Sequence, residues 1–105
     1  MAEVAEAAVR ELSNWEVVTP AQMGIVTFRC IPAGLSLEEL NGLNRELVEQ
    51  VIADGFAMIS STVLRGQTVL RMCTINPRTA EADVRGTIKR LDDISKRLLL
   101  GQQTR

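Results

Sequence analysis

The segment from residue 56 to residue 75 constrains the fold most, because it contains two strand-like runs separated by only two residues. Apolar and β-branched residues dominate both runs, and Arg65-Gly66 stands between them. A two-residue link with glycine second is typical of a tight antiparallel hairpin turn. Counting back from that turn places Ser60 opposite Arg71 on the neighbouring strand.

Apolar periodicity defines the other elements. Ser36 and Glu39 suit a capping box at the start of a long helix, and Asp54-Gly55 suits its end. Four strands with antiparallel hairpins, and helices with one apolar stripe each, predict a single α+β domain over residues 1–105. In this fold class, helices pack on one face of a four-stranded, largely antiparallel sheet. The predicted order is α-β-β-α-β-β-α, with helices over residues 3–14, 36–54 and 79–100 and strands over 15–18, 24–31, 56–64 and 67–75.

The last predicted strand carries apolar residues on both of its faces. Leu70 and Met72 share one face, while Val69 and Cys73 share the other. An antiparallel sheet that is apolar on both sides usually has something docked on each side. We therefore expect a partner to cover the second face, and the isolated chain to expose apolar surface.

Composition excludes several functional classes. A chain of 105 residues with 46% hydrophobic and 24% charged residues is globular. Its net charge of -1 argues against a nucleic-acid or membrane-surface partner. No apolar run approaches the roughly 20 residues of a membrane span, and the first residues are acidic where a signal peptide is basic. These features predict a cytoplasmic protein.

The chain offers few groups for catalysis. It has no histidine, and its two cysteines form no CxxC motif, so we expect neither a metal site nor a catalytic residue. Cys30 and Cys73 are predicted to be small buried apolar residues, with a disulfide as the minor alternative. Lys89 and Lys96 lie on the polar side of the last helix, where a Schiff-base lysine is not expected.

Arg71 stands out because it lies in the middle of a strand between Leu70 and Met72. Three interpretations remain open: a sheet edge in water, a structural ion pair, or a site for a carboxylate or phosphate, whose geometry suits the guanidinium fork. Arg29 is also in mid-strand and is predicted to face solvent. Trp15 is predicted to anchor the first strand.

Three stretches, taken in order, are informative together: residues 15–20 with 24–29 (WEVVTP and GIVTFR), residues 43–44 with 55–56 and 61–66 (LN, GF and STVLRG), and residues 69–79 (VLRMCTINPRT). This series resembles the C-terminal small domain of the group II pyridoxal-phosphate-dependent amino-acid decarboxylases. This family includes the aromatic-amino-acid, glutamate and diaminobutyrate decarboxylases. Relatives often have histidine at the position of Ser61 and aspartate at that of Arg65, which leaves the subfamily open.

The resemblance implies the small domain of a fold-type I enzyme. Pyridoxal phosphate would be held in the intact enzyme by a larger upstream domain, through a lysine in a His-Lys motif and an aspartate, none of which has a counterpart here. Arg71 would help to hold the carboxylate of the amino-acid substrate. The implied partners are the chain's own large domain and, in the intact enzyme, a second copy as a homodimer, whereas this chain alone would bind no cofactor and catalyse nothing.

Two other classes of function fit the same pattern. One is a free-standing ferredoxin-like module that binds a small molecule or regulates through dimerisation. The other is a structural partner domain without a ligand.

Overall fold

A computed structural model describes residues 2–55, 59–74 and 80–103, with side chains of 101–103 excluded. The predicted order of elements is confirmed. The first helix is shorter than predicted, and the first strand runs past Pro20 to Gln22, because this strand lies at a sheet edge, where proline is tolerated. The elements are α1 (Ala2–Arg10), β1 (Trp15–Gln22), β2 (Ile25–Cys30), α2 (Leu37–Ala53), β3 (Ile59–Leu64), β4 (Gln67–Cys73) and α3 (Glu81–Gln103).

The four described strands form one antiparallel sheet in the order β1-β2-β4-β3, which confirms the predicted fold class. Arg65 and Gly66 have φ values of 53° and 78°, as a type I′ turn requires at both central residues. This turn sets the β3–β4 register, and Ser60 pairs with Arg71 as predicted.

The core lies between one face of the sheet and the three described helices. Trp15 confirms its predicted anchoring role: its Nε1 donates to Asp92 Oδ1 of α3 at 3.0 Å, and its ring centroid lies 5.9 Å from that of Phe28. The predicted stripe of α3 is buried from Val84 to Ile94. Burial of this continuous apolar surface is the main source of stability for the domain.

Helix α2 has the predicted ends. Ser36 and Glu39 form a reciprocal capping box, and Gly55 follows the helix with a φ of +93°. Pairing between β2 and β4 ends at Phe28 and Leu70. Beyond this pair, two asparagines of α2 form hydrogen bonds with backbone groups of the sheet. There, Asn44 bonds to the backbone of Cys30, and Asn41 accepts from Thr68 N–H and donates to the Gly66 carbonyl.

The face of the sheet turned away from the helices is called the open face. Val69 is buried there, in agreement with an apolar contribution to this face, but most of its positions are polar. The prediction that the second face carries some apolar side chains is therefore confirmed, although polar residues outnumber them. The residues of this face are Glu16 and Thr19 of β1, Ile25, Thr27 and Arg29 of β2, Ser60, Thr62 and Leu64 of β3, and Gln67, Val69, Arg71 and Cys73 of β4.

The two cysteines are free, and Cys30 is buried in the core while Cys73 is half-buried on the open face. Because they lie on opposite sides of the sheet, the disulfide alternative is wrong. None of the described helices is both long and apolar enough to cross a bilayer.

Candidate functional site

Arg71 lies on the open face, in β4, with β2 on one side and β3 on the other. The edge-strand interpretation is therefore wrong. The side chain is half-buried, and within the described parts of the chain it makes no hydrogen bond or ion pair. Its guanidinium thus retains its donors, which suit a carboxylate or phosphate.

Arg71 belongs to a line of polar residues that crosses all four strands, called the cross-strand row. Thr19 of β1 pairs with Thr27 of β2, Thr27 pairs with Arg71, and Arg71 pairs with Ser60 of β3. Directly opposite residues on neighbouring strands have Cβ atoms about 5 Å apart. The row therefore places hydroxyl groups on both sides of the guanidinium.

Thr27 is 7% exposed, and its Oγ1 is buried without a hydrogen-bond partner among the described residues. Beside it lies a cavity of about 280 Å³ at the β1–β2 end of the open face. This cavity has an apolar lining around Pro20, Met23 and Ile25, so the row borders a space that can take an apolar group. Its lining residues are Thr19, Pro20, Gln22, Met23, Ile25 and Thr27.

The prediction that Arg29 faces solvent is wrong, because the residue is only 2% exposed. It lies on a strand flanked on both sides, and its Nη2 donates to Asn41 Oδ1 at 3.4 Å while its Nε has no partner in the described structure. Glu16, its register partner on β1, is exposed. Arg29 therefore adds a covered positive charge next to the row.

The sequence predicted Arg71 as a substrate-binding residue and Ser60 as its cross-strand neighbour, but it did not single out Thr27. The β3–β4 register followed from a two-residue turn, whereas β2 and β4 are separated by a whole helix and no local signal fixes their register. The alternation of Thr27 and Arg29 on one face of β2 was the only available hint.

The described residues do not fit an aldehyde cofactor or a metal ion. Lys89 and Lys96 are exposed on α3, and Lys96 pairs with Asp92 at 3.1 Å. Burial raises the pKa of the Cys30 thiol to about 12, so this group stays protonated near neutral pH. No metal-binding cluster occurs in the ranges that the structure covers. The Asn76-Pro77-Arg78-Thr79 run and the predicted Thr79 cap lie outside the described residues.

No protein-family model matches the chain. The aromatic-L-amino-acid decarboxylase of Bacillus atrophaeus is 48% identical over 85 residues, which are 80% of this chain and 18% of that protein. The phenylacetaldehyde synthase of Arabidopsis thaliana is 33% identical over 99 residues, 94% of this chain and 20% of that protein.

The chain is also similar to solved structures of decarboxylases. The crystal structure of Oryza sativa TDC with PLP and tryptamine has a TM-score of 0.84 at 30% identity, covering 92% of this chain and 21% of that one. Catharanthus roseus tryptophan decarboxylase in complex with L-tryptophan has a TM-score of 0.79 at 26% identity, covering 90% and 20%. The chain spans about a fifth of the length of these proteins.

Proposed function

We propose that this chain, which belongs to the group II pyridoxal-phosphate-dependent amino-acid decarboxylase family, completes the substrate pocket of such an enzyme and does not itself break the bond. Family membership supports the reaction class, loss of carbon dioxide from an L-amino acid. The main support for a role in the substrate pocket is that the Arg71 guanidinium is half-buried on the open face and has no partner in the described structure.

Arg71 would hold the carboxylate of the amino-acid substrate. A guanidinium donates two parallel hydrogen bonds to a carboxylate, which fixes orientation as well as charge. Its central position in the sheet limits its motion, because neighbouring strands on both sides fix its backbone. A rigid support of this kind lowers the entropic cost of orienting a substrate.

Pyridoxal phosphate, when bound in such an enzyme, acts as the electron sink for the decarboxylation. Because neither lysine of this chain is buried and the chain has no histidine, the residues here do not fit the cofactor. We place its binding in the much longer remainder of the intact protein, with residues 1–105 as a C-terminal small domain.

The open face would pack on that remainder. Two buried polar atoms on β2 lack partners among the described residues, which is expected of a surface completed by another part of the protein. The family resemblance also supports a homodimeric enzyme, and the free cysteines are in keeping with a cytoplasmic location.

The ferredoxin-like alternative has less support. That fold has the order β-α-β-β-α-β, whereas this chain begins with a helix and a β1–β2 hairpin. No specific contact in the described structure favours a regulatory module or a ligand-free structural domain.

A chimera tests the proposal. Residues of this chain would replace the matching region of the Bacillus atrophaeus relative, and decarboxylation of aromatic amino acids would be followed by product formation. We expect an active, cofactor-loaded enzyme in which Arg71→Ala lowers kcat/KM by about 10- to 100-fold, the range for losing a charge-assisted hydrogen bond. Arg65→Gln, which removes an exposed arginine at the hairpin turn, is the matched control and should leave kcat/KM unchanged.

A folded, cofactor-loaded chimera without activity would contradict the proposal. Unchanged kinetics of Arg71→Ala would reduce Arg71 to a structural role. Pyridoxal phosphate added to this chain alone should give only the weak Schiff-base absorbance of surface lysines, and a saturable, stoichiometric band would equally overturn the proposal.

A further inference from the structure

We infer that the cross-strand row is a carboxylate-binding site in which Thr27 and Ser60 act together with Arg71, and that its ligand is a carboxylate attached to an apolar group. The inference rests on the proposed function, because it adds two residues to the group that would hold the substrate. Two sources would supply such a carboxylate, a free amino acid or an acidic side chain of the rest of the protein, and the chimera distinguishes them.

The first support is the arrangement of donors. An ionised carboxylate has two oxygens with about four acceptor positions, of which a guanidinium fork fills two. Thr27 and Ser60 are the direct cross-strand neighbours of Arg71 on the same face. Their hydroxyls are therefore within reach of the remaining positions on either side of an anion held at Arg71.

The second support is the unpaired hydroxyl of Thr27. On the helix side of the sheet, buried polar side chains such as Trp15, Asn44 and Thr87 all have hydrogen-bond partners. The buried side-chain atoms without one, within the described ranges, are Thr27 Oγ1 and Arg29 Nε, both on β2. A buried hydroxyl without a partner destabilises the free chain, and a ligand that accepts its hydrogen bond removes that cost.

The third support is the surroundings of the row. Arg29, two residues after Thr27 on the same face of β2, adds a second, buried positive charge. The acidic group nearest by register is Glu16, which is exposed to solvent. The potential at the row thus favours an anion. The adjoining cavity of about 280 Å³, lined by Pro20, Met23 and Ile25 among others, accommodates the apolar part of the ligand.

An NMR titration of this chain with 3-phenylpropionate tests the inference. We expect saturable shifts centred on the backbone amides of Thr27, Ser60 and Arg71, and none with phenethylamine, which lacks the carboxylate. Thr27→Val and Ser60→Ala should each weaken binding about fivefold, the loss of one hydrogen bond of about 1 kcal/mol. Arg71→Ala should abolish binding, and Arg71→Lys, which keeps the charge without the fork, should be intermediate.

Thr27→Val also separates binding from structure. Valine has the same shape without the unpaired hydroxyl, so the urea midpoint of the ligand-free variant should equal or exceed that of the parent chain while its affinity falls. Thr62→Val, on the open face one step along β3 from Ser60, is the matched control and should bind as the parent does. Parent-like affinity of Thr27→Val, or equal losses for Arg71→Ala and Arg65→Gln, would overturn the inference.

The chimera described above identifies the source of the carboxylate. A raised KM for the amino acid in Thr27→Val supports the row as the substrate site. A second outcome is that this chain binds 3-phenylpropionate through the row while Thr27→Val leaves the KM of the chimera unchanged. The row is then a carboxylate-binding site whose ligand comes from the rest of the protein, and the proposed substrate role of Arg71 is wrong. If the chimera responds only to Arg71→Ala and this chain binds nothing, the row is wrong and the proposed function stands.

Discussion

Asn44 bonds to both backbone groups of Cys30. Its Oδ1 accepts from Cys30 N–H at 2.7 Å, and its Nδ2 donates to the Cys30 carbonyl at 2.9 Å. The same Nδ2 donates to the Leu40 carbonyl at 2.7 Å. An amide of helix α2 therefore takes the place of a neighbouring strand where β2 and β4 stop pairing, and it holds the end of the strand that carries Thr27 and Arg29.

Replacing Asn44 with alanine should destabilise the chain strongly. Asn44 is fully buried, and its removal leaves both backbone groups of Cys30 without partners. Each unsatisfied buried group costs about 1–3 kcal/mol, so the free energy of unfolding should fall by about 2–6 kcal/mol in urea titrations. Arg45→Ala, at the next and exposed position of the same helix, should change it by less than about 0.5 kcal/mol. Equal effects of the two substitutions would contradict this role for Asn44.

Glu6 should contribute to stability at neutral pH and lose that contribution in acid. Its carboxylate accepts from Ala21 N–H at 2.6 Å and from Arg10 Nε at 3.0 Å, and these bonds, the backbone bond first, lower its pKa below the ordinary 4.5. A lowered folded-state pKa means that the stabilisation is present above pH 4.5 and is lost as the pH falls through the folded value.

The measurement is the urea midpoint at pH 6 and at pH 3. Glu6→Gln should lower the midpoint mainly at pH 6 and so reduce the difference between the two pH values. Glu46→Gln, which changes an exposed carboxylate of α2, should leave that difference unchanged. A pH dependence identical in Glu6→Gln and the parent chain would show that the hydrogen bond from Ala21 to Glu6 does not stabilise the folded chain in solution.

The open face shows what a single sequence can and cannot predict. Ser60 opposite Arg71 was predictable, because a two-residue turn fixes the register of the strands on either side of it. The burial of Arg29 was not, because its cover comes from the order of the strands and from Asn41 of a separate element. For the same reason, Thr27 emerged as part of the candidate site only when β2 and β4 were placed side by side.

The two thiols should react at very different rates. Burial raises the pKa of the Cys30 thiol to about 12, whereas Cys73 is half-buried on the open face. Because the thiolate is the reactive form and needs access to the reagent, a disulfide reagent at pH 8 should modify Cys73 first and Cys30 only on unfolding. Cys73→Ser should remove the native reaction and leave one thiol that appears in denaturant. Modification of Cys30 in the native Cys73→Ser chain would contradict its burial.

The raised pKa of Cys30 also predicts an alkaline loss of stability. The unfolded thiol ionises near its ordinary value of 9.0 while the folded thiol remains neutral to about 12. Stabilisation from this group is therefore complete below pH 9 and decreases as the pH rises towards 12. Between pH 8 and pH 10.5, the free energy of unfolding should fall more steeply in the parent chain than in Cys30→Ala. Parallel curves would refute the prediction.

The hairpin turn offers a substitution that should stabilise the chain. Arg65 has a φ of 53°, a left-handed conformation that asparagine adopts more easily than arginine and that β-branched residues avoid. Arg65→Asn should therefore raise the free energy of unfolding by about 0.5–1 kcal/mol, because the type I′ turn with Gly66 favours asparagine at its first position. Arg65→Val, the matched control at the same exposed site, should lower it. Thermal and urea unfolding of the two variants decide the matter, since a stability order of Val above Asn is incompatible with the left-handed turn. Carboxylate binding at the cross-strand row should be unaffected by either change, because the turn lies outside the row.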